Sequence, residues 1–171
     1  MKRIARFEKV SFRQFSDGWD DTFQAIEKGE NKDQSKETLK EIYDRIKLPR
    51  RATAGSAGYD FFAPVDIILN PGETIKIPTG IRVWMEPEWV LKCYPRSGLG
   101  FKFRLQLNNT VGIIDSDYYN SDNEGHIFIK ITNDSNENKT VELNAGQGFA
   151  QGIFMPFGLV EDDDTTDQRN G

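Results

Sequence analysis

The pattern of apolar and polar positions divides the chain near Pro49. Before it, residues 4–12, IARFEKVSF, read as a short strand, and residues 16–33 as a polar loop broken by Gly18 and Gly29. Residues 34–47 read as a helix, because Leu39, Ile42, Tyr43 and Ile46 fall at i, i+3, i+4 and i+7 and share one face. Ser35, with Thr38 or Glu37, offers that helix a loose N-terminal cap. After Pro49 short β-type runs succeed one another: YDFFA, VDIIL, TIKI, IRVWM, WVLKCY, RLQL, IFIKIT, TVEL and FAQGIFMPF. Turn signals separate them, NPGE at 70–73, MEPE at 85–88, DSNENK at 134–139 and NAGQ at 144–147. Short strands at that spacing predict an all-β sandwich or barrel. The expected organisation is one domain over residues 1–171, with a loop and helix inserted at 17–48. The stretch 160–171, VEDDDTTDQRNG, is acidic and without apolar pattern, and is expected to be mobile.

Composition narrows the function classes. A hydrophobic content of 37% in 171 residues suffices for one core. No run approaches the roughly 20 apolar residues of a membrane span, and the opening MKRIARFEKV has no apolar signal segment. Cys93 is the single cysteine, so no internal disulfide forms, which fits a reducing cytoplasm. One His and one Cys leave no His/Cys zinc site. The net charge of −5 argues against coating a nucleic acid and against a membrane surface, but leaves a nucleotide substrate open.

Four stretches join glycine to polar groups within this β pattern. In ATAGSAGYDFFAP (52–64), small residues permit close backbone approach and Asp60 enters an apolar strand. In YPRSGLGFK (94–102), the guanidinium of Arg96, the hydroxyl of Ser97 and the free N–H of Gly98 suit phosphate oxygens, with Lys102 adding charge. In NNTVGIIDSDYYNSDNEGH (108–126), an apolar run ends in two carboxylates, with Asp115 a candidate base for a water and Tyr118 a flat face for a sugar. In GQGFAQGIFMPF (146–157), Gln151 lies in an apolar strand and needs a backbone or ligand partner. Singly, each has a plainer reading: a tight β corner, a solvated turn, a hairpin capping its own backbone, a satisfied core glutamine. In order along one β domain, they describe a phosphate grip and a general base.

That order resembles the trimeric-type dUTP pyrophosphatases (dUTPases). SAGYD at 56–60, PRSGLG at 95–100 and NTVGIIDSDY at 109–118 match the first three of the family's five motifs, GQGFAQ at 146–151 is a degraded fourth, and Arg169-Asn170-Gly171 begins the fifth. The resemblance covers roughly residues 49–171 and the first strand. It implies a jelly-roll-like β fold, a homotrimer with shared active sites, and hydrolysis of dUTP to dUMP and pyrophosphate with Mg²⁺ carried on the triphosphate. It implies that Asp115 activates the water attacking the α-phosphorus, and that Arg96, Ser97, Gly98, Gln151 and Arg169 meet the phosphates. Asn109, Gly112, Ile113, Ile114 and Phe128 would read uracil, Tyr118 would lie under the deoxyribose, and Asp60 would touch the metal's water shell. Asp117 is expected to serve structure or a subunit contact.

The chain also departs from the family. The hairpin after Tyr119 is longer by about five residues, NSDNE. Gln147 and Gly148 stand where the fourth motif has an acid and an arginine, and Arg104, where the family often has glycine, is a candidate replacement charge. Only the beginning of the fifth motif is present, and the insertion at 17–48 is atypical. Two competing readings follow: a nucleotide-binding regulator on the same fold, acting through protein contacts, and a deaminase of the related dCTP deaminase family. An intact Asp115 argues against the first, and the PRSG order with Tyr118 against the second.

Overall fold

The computed structural model describes residues 1–27, 38–167, 169 and 171. Twelve strands are present among them: β1 (Ala5–Lys9), β2 (Arg50–Arg51), β3 (Tyr59–Phe62), β4 (Ile67–Leu69), β5 (Thr74–Pro78), β6 (Ile81–Met85), β7 (Trp89–Pro95), β8 (Leu105–Leu107), β9 (Gly112–Ile114), β10 (Phe128–Asn133), β11 (Val141–Leu143) and β12 (Gly148–Pro156). Three helices, α1 (Phe12–Glu27), α2 (Leu39–Arg45) and α3 (Ser97–Phe103), and a 3-10 turn, Ser116–Asn120, complete the described elements.

Pairing is antiparallel throughout. The largest sheet has the order β2-β3-β12-β7-β9, and the others are β5-β10-β8, β11-β4 and β1-β6. None closes into a barrel, so the fold is the sandwich form of the expected all-β, jelly-roll-like class. One core lies between the sheets. Phe61, Ile77, Leu91, Ile131, Val141 and Phe149 are each at most 1% exposed and come from six strands in three of the sheets. Alternation is visible in β6, where Ile81, Val83 and Met85 are buried while Arg82 and Trp84 are not.

Two sequence expectations are corrected. Residues 16–27 are not loop: they continue α1, whose Phe12, Phe15, Trp19 and Phe23 recur at helical spacing. Gly18 reads as a breaker, but it is buried where α1 crosses the base of β10. A Cβ there would stand 2.8 Å from the Phe128 ring and 2.9 Å from the His126 ring. The glycine is therefore a packing residue inside a helix whose aromatic face supplies the stability. The second correction is α3, which forms where PRSGLG reads as a turn. It closes on Arg104 in the left-handed region (φ 52°), whose N–H bonds to the carbonyls of Leu99 and Gly100.

The insertion has its own small core of Val10, Phe15 and Ile42, bordered by Trp19, Leu39, Tyr43 and Ile46. The expected apolar face of α2 is thus the observed one. Its cap is a full capping box, Thr38 with Glu41; Ser35 and Glu37 lie outside the described residues. The N-cap of α1 is Ser11, whose Oγ accepts from the Gln14 N–H at 3.1 Å. No described helix is long and apolar enough to cross a membrane.

Candidate active site

The chain forms a cleft of about 300 Å³ between β9 and β10. β9 is the edge of the largest sheet, and β8 pairs only with Ile131–Asn133 of β10, so the Phe128 end of β10 is open toward β9. Two strand edges therefore face each other without a ladder between them, leaving backbone donors and acceptors free for a flat polar ring. Asn109, Gly112, Ile113, Ile114 and Phe128, which the resemblance groups together, all line this cleft, together with Lys76, Cys93 and Leu107. Gly112 sits opposite Cys93, and a Cβ on it would come 3.1 Å from the cysteine Cβ. Cys93 is buried, and desolvation pushes its thiol up to about 12, so the cleft floor is neutral and unreactive.

One feature of this wall was not legible beforehand. Thr110 has φ 66°, and the Val111 N–H reaches back to the Asn109 carbonyl at 2.7 Å. This three-residue turn bends the chain tightly between β8 and β9 and sets the direction of Asn109. No glycine marks it, so turn composition gives no warning.

Asp115 follows β9 at the rim, its side chain about half exposed. Arg169 donates to the Asp115 carboxylate at 2.8 Å and to Asp117 at 3.1 Å, and its guanidinium lies 5.5 Å from the Tyr118 ring centre. The tail is exposed over residues 155–167 and returns to the rim at Arg169. Asp117 thereby gains a partner within its own chain. The hydrogen bond to Asp117, first, and the two carboxylate charges hold the Arg169 guanidinium above its ordinary range.

The phosphate-grip residues form a second group. Arg96 precedes α3, and its Nε lies 3.3 Å from the Asp60 carboxylate, which is only 14% exposed. The first N–H groups of α3, at Ser97 and Gly98, have no preceding turn to bond to. Gly148 leaves the space that Arg96 fills, since a Cβ there would meet the Arg96 Nη1 at 3.1 Å. Gln151 donates to the Pro95 carbonyl at 3.2 Å and faces Gly58, so it ties the first two motifs together through the backbone. Arg104 points elsewhere: its guanidinium donates to Asp134 at 3.0 Å.

The two groups lie toward opposite ends of β7. Leu91 pairs with Ile114, so Asp115 leaves the sheet beside Val90, whereas Arg96 follows Pro95 at the other end. Six residues of strand separate those levels, about 20 Å at ~3.3 Å per residue. The base-side and phosphate-side residues are each well formed within one chain, but one chain does not bring them together.

The family model for dUTPase matches residues 44–170. The chain belongs to that family. It is 44% identical over 125 residues to the deoxyuridine 5'-triphosphate nucleotidohydrolase of Lactococcus lactis, covering 72% of this chain and 81% of that protein. The crystal structure of dUTPase from Streptococcus mutans superposes with a TM-score of 0.59 at 43% identity, over 67% of this chain and 88% of that one. A dUTPase from phage phi11 of S. aureus, which coordinates a structural Mg(II) ion, shares the fold at 23% identity, with a TM-score of 0.56 over 71% of this chain and 90% of that one.

Among the described residues no cluster of three or more His, Cys, Asp or Glu is placed to hold a metal. Asp60, a lone carboxylate beside a phosphate-gripping arginine, fits a hydrated Mg²⁺ that arrives on a triphosphate, because Mg²⁺ keeps most of its waters.

Sequence reasoning in this dUTPase-family chain missed His126. It is fully buried; its Nε2 accepts from the Gly80 N–H at 2.9 Å and its ring lies 4.2 Å from that of Phe128. Its only signal was a lone histidine ahead of an apolar strand.

Proposed function

We infer that the protein hydrolyses dUTP to dUMP and pyrophosphate. The observation that carries this reading is the cleft of unpaired strand edges with Asp115 at its rim, in a chain of the dUTPase family. Uracil enters edge-on between β9 and β10, where fixed backbone groups and Asn109 meet its carbonyls and N–H. Cytosine reverses the donor and acceptor at position 4 and leaves buried groups unpaired, which a polar site rejects strongly. Tyr118 lies under the deoxyribose and leaves no room for a 2′-hydroxyl.

Asp115 accepts a proton from a water, whose oxygen attacks the α-phosphorus. The bond from that phosphorus to the bridging oxygen breaks, and pyrophosphate leaves. Arg96, Ser97 and the Gly98 N–H hold the triphosphate in line, and Gln151 keeps the Pro95 turn that presents them. Asp60, beside Arg96, would accept hydrogen bonds from the waters of a Mg²⁺ carried on the triphosphate, and that ion would supply charge neutralisation. Arg169, paired here with Asp115 and Asp117, moves to the phosphates when substrate arrives. A regulator that only binds nucleotide has no need of a carboxylate at the position of Asp115.

The separation of Asp115 from Arg96 along β7 supports a homotrimer in which one subunit supplies the base side and another the phosphate side. Pyrophosphate release from dUTP, dCTP, dTTP and UTP with Mg²⁺ tests the reaction, and turnover of dUTP alone is expected. Asp115→Asn and Arg96→Ala should each be nearly inactive alone and regain activity when co-refolded, since mixed trimers contain sites with both native groups. No regain would mean that each site draws Arg96 and Asp115 from the same subunit, and would remove the shared-site reading.

A further inference from the structure

The lengthened hairpin and the inserted helix, two of the departures from the family pattern, meet at Glu124 and Ser11, and the same hairpin holds Tyr118. The Tyr118 hydroxyl donates to the His126 carbonyl at 2.9 Å and accepts from the Asn123 side-chain amide at 2.8 Å. Asn123 is itself fixed: its Oδ1 accepts from the Gly125 N–H at 3.0 Å, and its carbonyl accepts from the His126 N–H at 3.1 Å. Gly125 adopts φ 70°, and a Cβ on it would stand 2.7 Å from the Tyr118 carbonyl, so this tight return of the loop excludes other residues.

The next residue, Glu124, leaves the hairpin and caps α1. Its carboxylate accepts from the Ser11 N–H at 2.7 Å and from the Ser11 hydroxyl at 2.6 Å. A carboxylate at the start of a four-turn helix is favoured by the helix dipole as well as by the two bonds. Burial pushes the Glu124 carboxyl up, but the bonds from Ser11 with the Arg82 and His126 charges outweigh it, and the net shift is downward. On the other side, Arg82 donates to the Tyr119 carbonyl at 2.6 Å and stacks 3.6 Å from the Tyr119 ring centre. The loop is thus clamped at both ends, with Asn123 between the clamps.

We propose that Asn123 is a specificity-determining positioning residue: it holds the Tyr118 ring at the height that admits deoxyribose and refuses ribose, with Glu124 anchoring the loop to α1. The inference rests on the reading of Tyr118 as the sugar platform. A phenol held by two opposed hydrogen bonds has a fixed tilt, whereas a phenol free at its hydroxyl can swing to make room. Asn123 touches no substrate and acts through Tyr118 alone.

The test compares kcat/KM for dUTP and for UTP in the full-length wild type, Asn123→Ala, Tyr118→Phe and the double variant, with melting temperatures alongside. Asn123→Ala is expected to lower the dUTP-over-UTP ratio about tenfold, mainly by improving UTP, from the loss of one partly buried hydrogen bond. Tyr118→Phe deletes that bond from the other side together with the bond to the His126 carbonyl, leaves the Asn123 turn intact and is expected to give at least the same loss. Adding Asn123→Ala to Tyr118→Phe should change the ratio no further, because the two act through one contact. A residue with only a structural role would lower the melting temperature and dUTP turnover without moving the ratio. An unchanged ratio in both single variants, in a wild type that turns over dUTP, overturns the inference alone. A wild type that does not turn over dUTP overturns the reading beneath it as well.

Discussion

Asp115→Asn is expected to lower kcat for dUTP by about a thousandfold while leaving nucleotide affinity within a few-fold, the loss typical of a removed general base. The side chain keeps its size and its place at the end of β9, so the cleft keeps its shape. What disappears is the proton acceptor and one of the two charges that hold Arg169. The amide still offers an oxygen to the guanidinium, and Asp117 remains at 3.1 Å, so the tail should stay near the rim. Single-turnover rates with radiolabelled dUTP separate the chemical step from binding. Retention of more than a tenth of the wild-type rate would remove Asp115 from the role of base and leave it as an orienting group.

Folding stability is expected to fall by about 2 kcal/mol between about pH 7.5 and pH 5, through His126. Burial pushes this imidazole down to about 4 from its ordinary 6.5; the Glu124 charge opposes the shift and Lys76 adds to it. The unfolded chain therefore binds a proton near pH 6.5 that the folded chain refuses until near pH 4. Stability is full above the unfolded value and is lost as pH falls toward the folded one. The bond from the Gly80 N–H to Nε2 requires that nitrogen unprotonated, so protonation also breaks the link between β5–β6 and the end of the lengthened hairpin. Urea denaturation across that interval measures the slope. In His126→Asn the slope should flatten, although the variant starts less stable; a slope unchanged by the substitution would assign the pH dependence to carboxylates instead.

Much of the site was legible because its parts are local. Each motif carries its own backbone geometry, so Asn109 and Gly112 to Ile114, which the resemblance groups together, share one wall, and Arg96 to Gly98 stay together on one short stretch. The strands were legible for the same reason, since alternation and turn residues act within a few positions. Phe128 came from the resemblance, and its place across the cleft depends on pairing with β5, fifty residues away. What escaped is what depends on partners distant in sequence. Helix α1 hid because Gly18 and three aspartates lower its propensity, while the aromatic face that stabilises it is completed by α2 and β10. α3 hid because its glycines weaken local preference, and its Arg104 cap is a non-glycine at positive φ. The partner of Arg169 was invisible because an acidic stretch without apolar pattern carries no signal of where it returns.

Glu124 and Ser11 are 113 positions apart, yet each completes the other's local structure. The helix has no acid in its own first turn, so it takes one from the hairpin, and the hairpin is fixed to the helix start by the same bonds. Neither addition is a detachable module. Trimming the hairpin to the common family length would uncap the helix, and excising the helix would strip cover from the His126 and Phe128 rings. The two must be grafted or removed together.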